Sequence, residues 1–290
     1  MVDGIADPLH VNAAQEIDKR LSRINAVKPG REGTFGDLAF SHQILHLIGG
    51  EDDSNANTTR RILLLLESMA VGKADARDRV VRNVLSRYLT EDRGLWDFKK
   101  ARAVPLFLLN DIARYWRIMV VDFAYKQRTR ANKGYALRSI KLGISRKLIF
   151  ISGLLTCFSC HSDFSDEQWA EFSRHRNPQP LIAHLSAILQ MTPLENIASR
   201  MMNYESKREP TIRLFDAYDK FIELLSDNRH LAEGQTPRQY LDELDVSNLA
   251  DDKVYQRARE IRRQFREAIE EIFLVPGTEL YTLTMKYGVF

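Results

Sequence analysis

The residues best equipped for chemistry lie in "LFLLNDIARYWRIMVVDFAYK", residues 106–126, where an apolar segment carries Asn110, Asp111, Arg114 and Arg117. On a helix Asn110, Arg114 and Arg117 share one stripe with Asp111 beside it, since residues three and four apart are neighbours. "LRSIKLGISRKLIF" repeats the idea: Arg138, Lys141 and Ser145 share a stripe, Arg146 and Lys147 adjoin it, and Leu137, Ile140, Ile144 and Leu148 form the apolar side. A planar guanidinium donates two parallel hydrogen bonds to phosphate. The candidate phosphate-binding residues are therefore Asn110, Asp111, Arg114, Arg117, Arg138, Lys141, Arg146 and Lys147. Asp111 and Asp122 are too few to neutralise these cations. Either acids from other segments complete an internal network that locks helices together, or an external anion does, and one surface can do both.

Charge distribution sharpens this alternative. Residues 101–150 hold eleven Lys or Arg against two Asp, an excess of nine, which leaves the remainder of a +3 chain at −6. Cations gathered on one face, more than total charge, mark an anionic partner. With 44% hydrophobic and 28% charged residues, the composition excludes disordered and fibrous classes. The apolar run "LIFISGLLTCF" is shorter than the roughly 20 residues that cross a bilayer, and no basic-then-apolar leader opens the chain. These features predict a cytosolic protein with no membrane partner.

Other motifs carry less. His42 and His46 stand at i and i+4 in "SHQILHLIGGEDD", the spacing by which two imidazoles share a metal, with Glu51, Asp52 or Asp53 as further ligands. Gln43 stands where a zinc-protease motif has Glu. The expectation is no bound metal, and His42, His46, Asp52 and Asp53 are the residues that would hold one. "CFSCH", Cys157 to His161, has the haem-attachment spacing but adjoins an apolar helix, where Cys packs as a small hydrophobe. "PGREGTFG" fits neither glycine-rich nucleotide-binding pattern, and no G-x-S-x-G elbow is present. Arg176 and His184 in "RHRNPQPLIAH" are the nearest match to the Arg…His pair of a helical ribonuclease, but their separation is long for it.

The elements that must position these residues read as helices. "AAQEIDKRLSRINAV" aligns Ile17, Leu21 and Ile24, "TTRRILLLLESMAV" is strongly apolar, and "ARDRVVRNVLSRYL" sets Val80, Val81, Val84, Leu85 and Tyr88 against a polar back. "SDEQ" from Ser165, "TPLE" from Thr192 and "TPRQ" from Thr236 are capping boxes, the last two with Pro at the first helical position. "DDKVYQRAREIRRQFREAIEEIFL" carries the stripe Val254, Ala258, Ile261, Phe265, Ile269 and Ile272, with Asp251 and Asp252 at its positive end. Only "ELYTLTMKYGVF" suggests a strand. The prediction is an all-α multi-helix bundle of one or two helical subdomains, with at most a minor extended C-terminal segment. The sequence places the boundary near residue 163, between a region 1–162 that holds the basic block and a region 163–290.

"FLLNDIARYWRIMVVDFAYK", "LRSIKLGISRKLIFISGLL" and the upstream "NTTRRILLLLES" resemble the helical C-terminal region of bacterial proteins with DNA polymerase β-like nucleotidyltransferase domains. The likeness covers residues 30–155 best. In that family a separate palm carries a Gly-Ser turn and paired aspartates that hold Mg²⁺, and the helical part contacts nucleotide or acceptor. No Gly-Ser…Asp-x-Asp pattern occurs here, and "GGEDDSN" has the acids without the strand. The resemblance thus implies a helical module that binds nucleotide or nucleic-acid phosphate. Mg²⁺ would enter only with a palm supplied by this or another chain. The alternatives are a structural or interaction subunit that partners a separate catalytic chain, and a helical ribonuclease.

Overall fold

The computed structural model describes residues 8–24, 38–70, 74–97, 102–227 and 235–288. Regular structure among them is helical throughout, with no strand, so the chain is an all-α multi-helix bundle. The helices in chain order are α1 (Pro8–Arg23), α2 (Ser41–His46), α3 (Asn55–Leu66), α4 (Ala74–Glu91), α5 (Leu106–Thr129), α6 (Tyr135–Lys141), α7 (Lys147–Ser162) and α8 (Asp166–His175). They continue as α9 (Gln179–Ile188), α10 (Pro193–Met201), α11 (Arg208–Ser226), α12 (Pro237–Glu243), α13 (Lys253–Phe273) and α14 (Glu279–Leu283).

The chain divides into two compact units, 1–115 with 159–192 and 116–158 with 193–290. This division is interleaved and cuts inside α5 and α7, where the sequence suggested a single cut near residue 163. The reason lies in α9, which follows that cut yet packs on α4. Arg77 of α4 donates to the Leu189 carbonyl at 2.8 Å and so ties 159–192 to the N-terminal part.

In the first unit the α4 stripe Val80, Val81, Val84, Leu85 and Tyr88 is fully buried, as its spacing predicts. Ser54 caps α3 by accepting from Asn57 N, which puts Thr58 and Thr59 inside the helix and buried. The Ser165 capping box forms at the start of α8. Helix α1 departs from expectation. Its periodicity makes a helix, but none of its residues is buried, and Ile17, Leu21 and Ile24 remain 56%, 41% and 74% exposed.

The second unit is built on the pair α11 and α13. Ala258, Ile261, Phe265 and Ile272 of the predicted α13 stripe are buried, and Asp252 caps the helix by accepting from Tyr255 N at 2.7 Å. Thr236 forms its capping box, and α10 begins at Pro193 as the sequence indicates. Asn196 ties α10 to α7, its Nδ2 donating to the Ser152 carbonyl and to the hydroxyls of Ser152 and Thr156 at 2.9–3.0 Å.

Two local features correct the sequence reading. The C-terminal segment expected to be extended is helical, with Thr278 capping α14 and Leu280, Leu283 and Tyr287 buried at helical spacing. The apolar run near residue 150 belongs to one continuous 28-residue helix, 135–162, long and apolar enough to cross a bilayer by length and composition. Of its most apolar window 67% is buried inside the protein, as in a core helix. Helices α6 and α7 join through a π turn, Leu142–Arg146, a distortion that often accompanies functional sites.

Candidate anion-binding site

The second unit carries an open groove of about 640 Å³. Its walls come from Trp116 and Phe123 of α5, from Tyr135, Ser139, Gly143 and Lys147 along α6, the π turn and α7, and from Gln256 to Arg266 of α13. The volume suits a small ligand or part of a polymer. Five cations line it, Lys147, Arg259, Arg262, Arg263 and Arg266, against one carboxylate, Glu260.

Helical spacing explains this concentration of charge. Arg259, Arg263 and Arg266 recur every three or four residues and so form a row on the face of α13 opposite its buried stripe. Arg262 lies beside them, deeper, and donates from Nη1 to Ser139 Oγ at 2.7 Å. The π turn brings the backbone of Gly143 against the aliphatic part of Arg262. A Cβ there would stand 2.4 Å from Arg262 Cδ and 2.8 Å from Cγ, so only glycine leaves that path open.

Lys147 follows the π turn, with Nζ 5.9 Å from the centre of the Trp116 ring, which stacks on Phe150. Burial, followed by the positive field of Arg266 and then of Arg262, lowers its pKa, while Glu270 opposes the shift. The α13 arginines have partners that an anion can displace: Arg263 pairs with Glu260 and Glu267 at 2.6–2.7 Å, and Arg266 reaches Glu270 at 3.5 Å. Such exposed pairs contribute only about 0–1 kcal/mol. Arg259 is exposed and has no hydrogen bond or ion pair among the described residues.

The first unit answers the question of the polar residues in α5 differently. Arg61 of α3 has no exposed side-chain surface and uses all five of its N–H donors. Nε donates to Tyr88 Oη at 2.6 Å, Nη1 to the Ile44 carbonyl at 3.4 Å and Asp53 Oδ1 at 3.1 Å, and Nη2 to Asp53 Oδ2 at 2.8 Å and Asp111 Oδ2 at 2.5 Å. Tyr88 Oη donates to Asp111 Oδ2 at 2.5 Å. Burial works against the Arg61 charge, but hydrogen bonding to Asp53 and the fields of Tyr88 and Asp111 raise its pKa above the ordinary value. Burial, reinforced by Asp111, pushes the Tyr88 hydroxyl well above its usual range. Arg114 completes the cluster, donating to the Asp53 carbonyl at 2.6 Å and its carboxylate at 3.3 Å.

The eight phosphate candidates are thus separated. Asp111 and Arg114 belong to the Arg61 network, Asn110 and Arg117 are exposed, and only Lys147 lines the groove. Arg138, Lys141 and Arg146 lie elsewhere in the second unit. Burial and then Arg130 lower the Arg138 pKa, while burial, Arg238 and Arg146 lower that of Lys141. Asp242 faces both and opposes each shift.

Of the metal candidates, His42, His46 and Asp52 are exposed, whereas Asp53 is buried and accepts from Arg61, Arg114 and Gly49 N. No group of three or more metal-ligating side chains occurs among the described residues. Cys157 and Cys160 are buried and form no disulfide with each other. Arg176 ends α8 in a left-handed conformation, while His184 lies 2.9 Å from Ser159 Oγ and 3.5 Å from Asp163. Both neighbours meet the same ring nitrogen, Nε2.

Sequence reasoning missed Arg61, Arg259, Arg262, Arg263 and Arg266. The signal for the last four was present in "RAREIRRQFR", where the apolar stripe drew attention from an arginine row on the other face. No family model matches the chain, and comparison with curated proteins and with solved structures likewise returns no match.

Proposed function

We propose that the second unit binds the phosphate groups of a nucleotide or nucleic acid in the groove bounded by α13 and the α6–α7 turn. The observation that carries this reading is the charge of the lining, five cations against one carboxylate, with Lys147 directed to no hydrogen-bond acceptor among the described residues. Aromatic rings interleaved with cations are the usual means of holding single-stranded nucleic acid. The likeness of the basic block to the helical region of nucleotidyltransferase-domain proteins points to the same ligand class. Transfer chemistry needs clustered carboxylates for two metals. Asp53 is committed to Arg61 and Asp52 stands exposed, so a separate catalytic chain is the proposed source of that chemistry.

Fluorescence anisotropy with labelled single-stranded RNA and with a nucleoside triphosphate analogue tests this directly. Arg263→Gln and Arg266→Gln are expected to weaken binding, and log affinity is expected to fall with log salt by about 0.7 per phosphate contact. Binding that is undetectable, or insensitive to both salt and these substitutions, overturns the reading.

A further inference from the structure

Lys147 differs from the other four cations of the groove. Arginine cannot shed its proton in a protein, whereas a lysine amine can. Arg262 donates to Ser139, Arg263 pairs with two glutamates, and Arg266 reaches Glu270, but Lys147 has neither a hydrogen bond nor an ion pair among the described residues. Its ammonium is half-buried, beside the Trp116 ring on one element and among Arg262, Arg266 and Glu270 on another.

We propose that the Lys147 amine is a nucleophile that forms an imine with a phosphorylated aldehyde or ketone seated in the groove, the phosphate being held by the α13 arginines. The inference rests on the anion-binding reading above and adds a covalent step to it. Desolvation and neighbouring cations activate lysines for this chemistry by favouring the neutral amine, and both act on Lys147. The ammonium first gives a proton to solvent. The Nζ lone pair then attacks the carbonyl carbon, a C–N bond forms, and the carbonyl oxygen leaves as water with the two remaining amine protons. No electrons are transferred, so no oxidant or reductant is needed.

Pyridoxal 5′-phosphate, with borohydride reduction of the imine and peptide mapping by mass spectrometry, is the reagent for the test. Lys147 is expected to carry the dominant adduct, about tenfold ahead of any other lysine, because a seated phosphate raises the local aldehyde concentration. Pyrophosphate is expected to protect it, and pyridoxal, which lacks the phosphate, to show no preference for Lys147. Lys147→Arg should lose this adduct, and calorimetry measures pyrophosphate binding by the unaltered chain. Pyrophosphate binding without preferential labelling of Lys147 overturns the imine and leaves the anion site standing. Absence of both overturns both. Equal labelling of Lys147 by pyridoxal and its phosphate overturns the assignment of a phosphorylated ligand.

Discussion

Arg61 and Asp111, 50 residues apart in the chain, meet at 2.5 Å in the interior of the first unit, with 0% and 9% of their side chains exposed. The contact joins α3 to α5, and Tyr88 of α4 donates to the same carboxylate oxygen. Removing one partner of a buried ion pair strands the other, at a cost of about 3–5 kcal/mol. Arg61→Met removes the main cation from both carboxylates, leaving Asp53 to Arg114 and Gly49 N and Asp111 to Tyr88. It is expected to lower the melting temperature by on the order of 10 °C in scanning calorimetry. Adding Asp111→Asn to Arg61→Met should recover part of the loss, and strict additivity of the two substitutions would contradict the coupling.

Arg114 is the residue for which the two readings of the α5 stripe give opposite outcomes. Its side chain is 37% exposed, and its bonds run to Asp53, which Arg61 already engages. Arg114→Gln is therefore expected to lower stability by less than Arg61→Met and to leave anion affinity unchanged. A clear loss of RNA binding with an unaltered melting temperature would return the stripe to the ligand site.

The helical architecture was legible because each element states its own period and ends: the α4 stripe, the boxes at Ser165 and Thr236, and the Asp252 cap all appear where the residues require. The site was less legible. Asn110, Asp111, Arg114 and Arg117 satisfy the spacing rule for a polar seam, but spacing cannot report that an arginine in the apolar run "TTRRILLLL" supplies the partner from another helix. Nor can it report which face of α13 closes against the π turn. Those are tertiary facts, fixed by how stripes pack. Helix α1 shows the converse, a clear apolar period none of whose residues is buried.

Gly143→Ala separates positioning from stability in the groove. Alanine is favoured over glycine inside a helix by about 1 kcal/mol, but the added Cβ would collide with Arg262 Cγ and Cδ and move that side chain from Ser139. These effects oppose each other. A small change in melting temperature is expected, together with a several-fold loss of triphosphate affinity by titration. Unchanged affinity would show that the Arg262 position is immaterial to binding.

Gly134 sits before α6 with φ +70°, and a Cβ would meet Asp242 Oδ1 at 2.5 Å and Arg138 Nη1 at 2.9 Å. A side chain in the left-handed region costs about 1–2 kcal/mol, and the collision adds to it. Gly134→Ala is expected to destabilise the second unit measurably by urea denaturation, with no recovery from alanine's helix propensity, because the residue precedes the helix. A neutral result would mean the turn can adopt another conformation.

Lys147 ties stability to pH in a direction its surroundings determine. Burial, Arg266 and Arg262 lower its pKa in the folded chain, whereas an unfolded lysine titrates near about 10.4. Between the lowered folded value and the unfolded one, the unfolded chain binds more protons, so the contribution of this group to stability rises with pH across that window. Below the window both states carry the ammonium, and its unfavourable burial stands in full. Replacing it with methionine removes that burden but also removes the contact with Trp116, worth about 0.5–1 kcal/mol at an exposed site and about 2 kcal/mol at a desolvated one. At 5.9 Å the ammonium stands near the outer limit of that contact, which weighs the balance toward the first effect. Lys147→Met is therefore expected to exceed the wild type in stability at neutral pH, and the difference should shrink as the pH approaches the unfolded lysine value. Urea denaturation of both proteins from neutral to alkaline pH measures it. A difference that grows with pH, or a methionine variant less stable at neutral pH, would show that the ammonium has a partner strong enough to outweigh its burial.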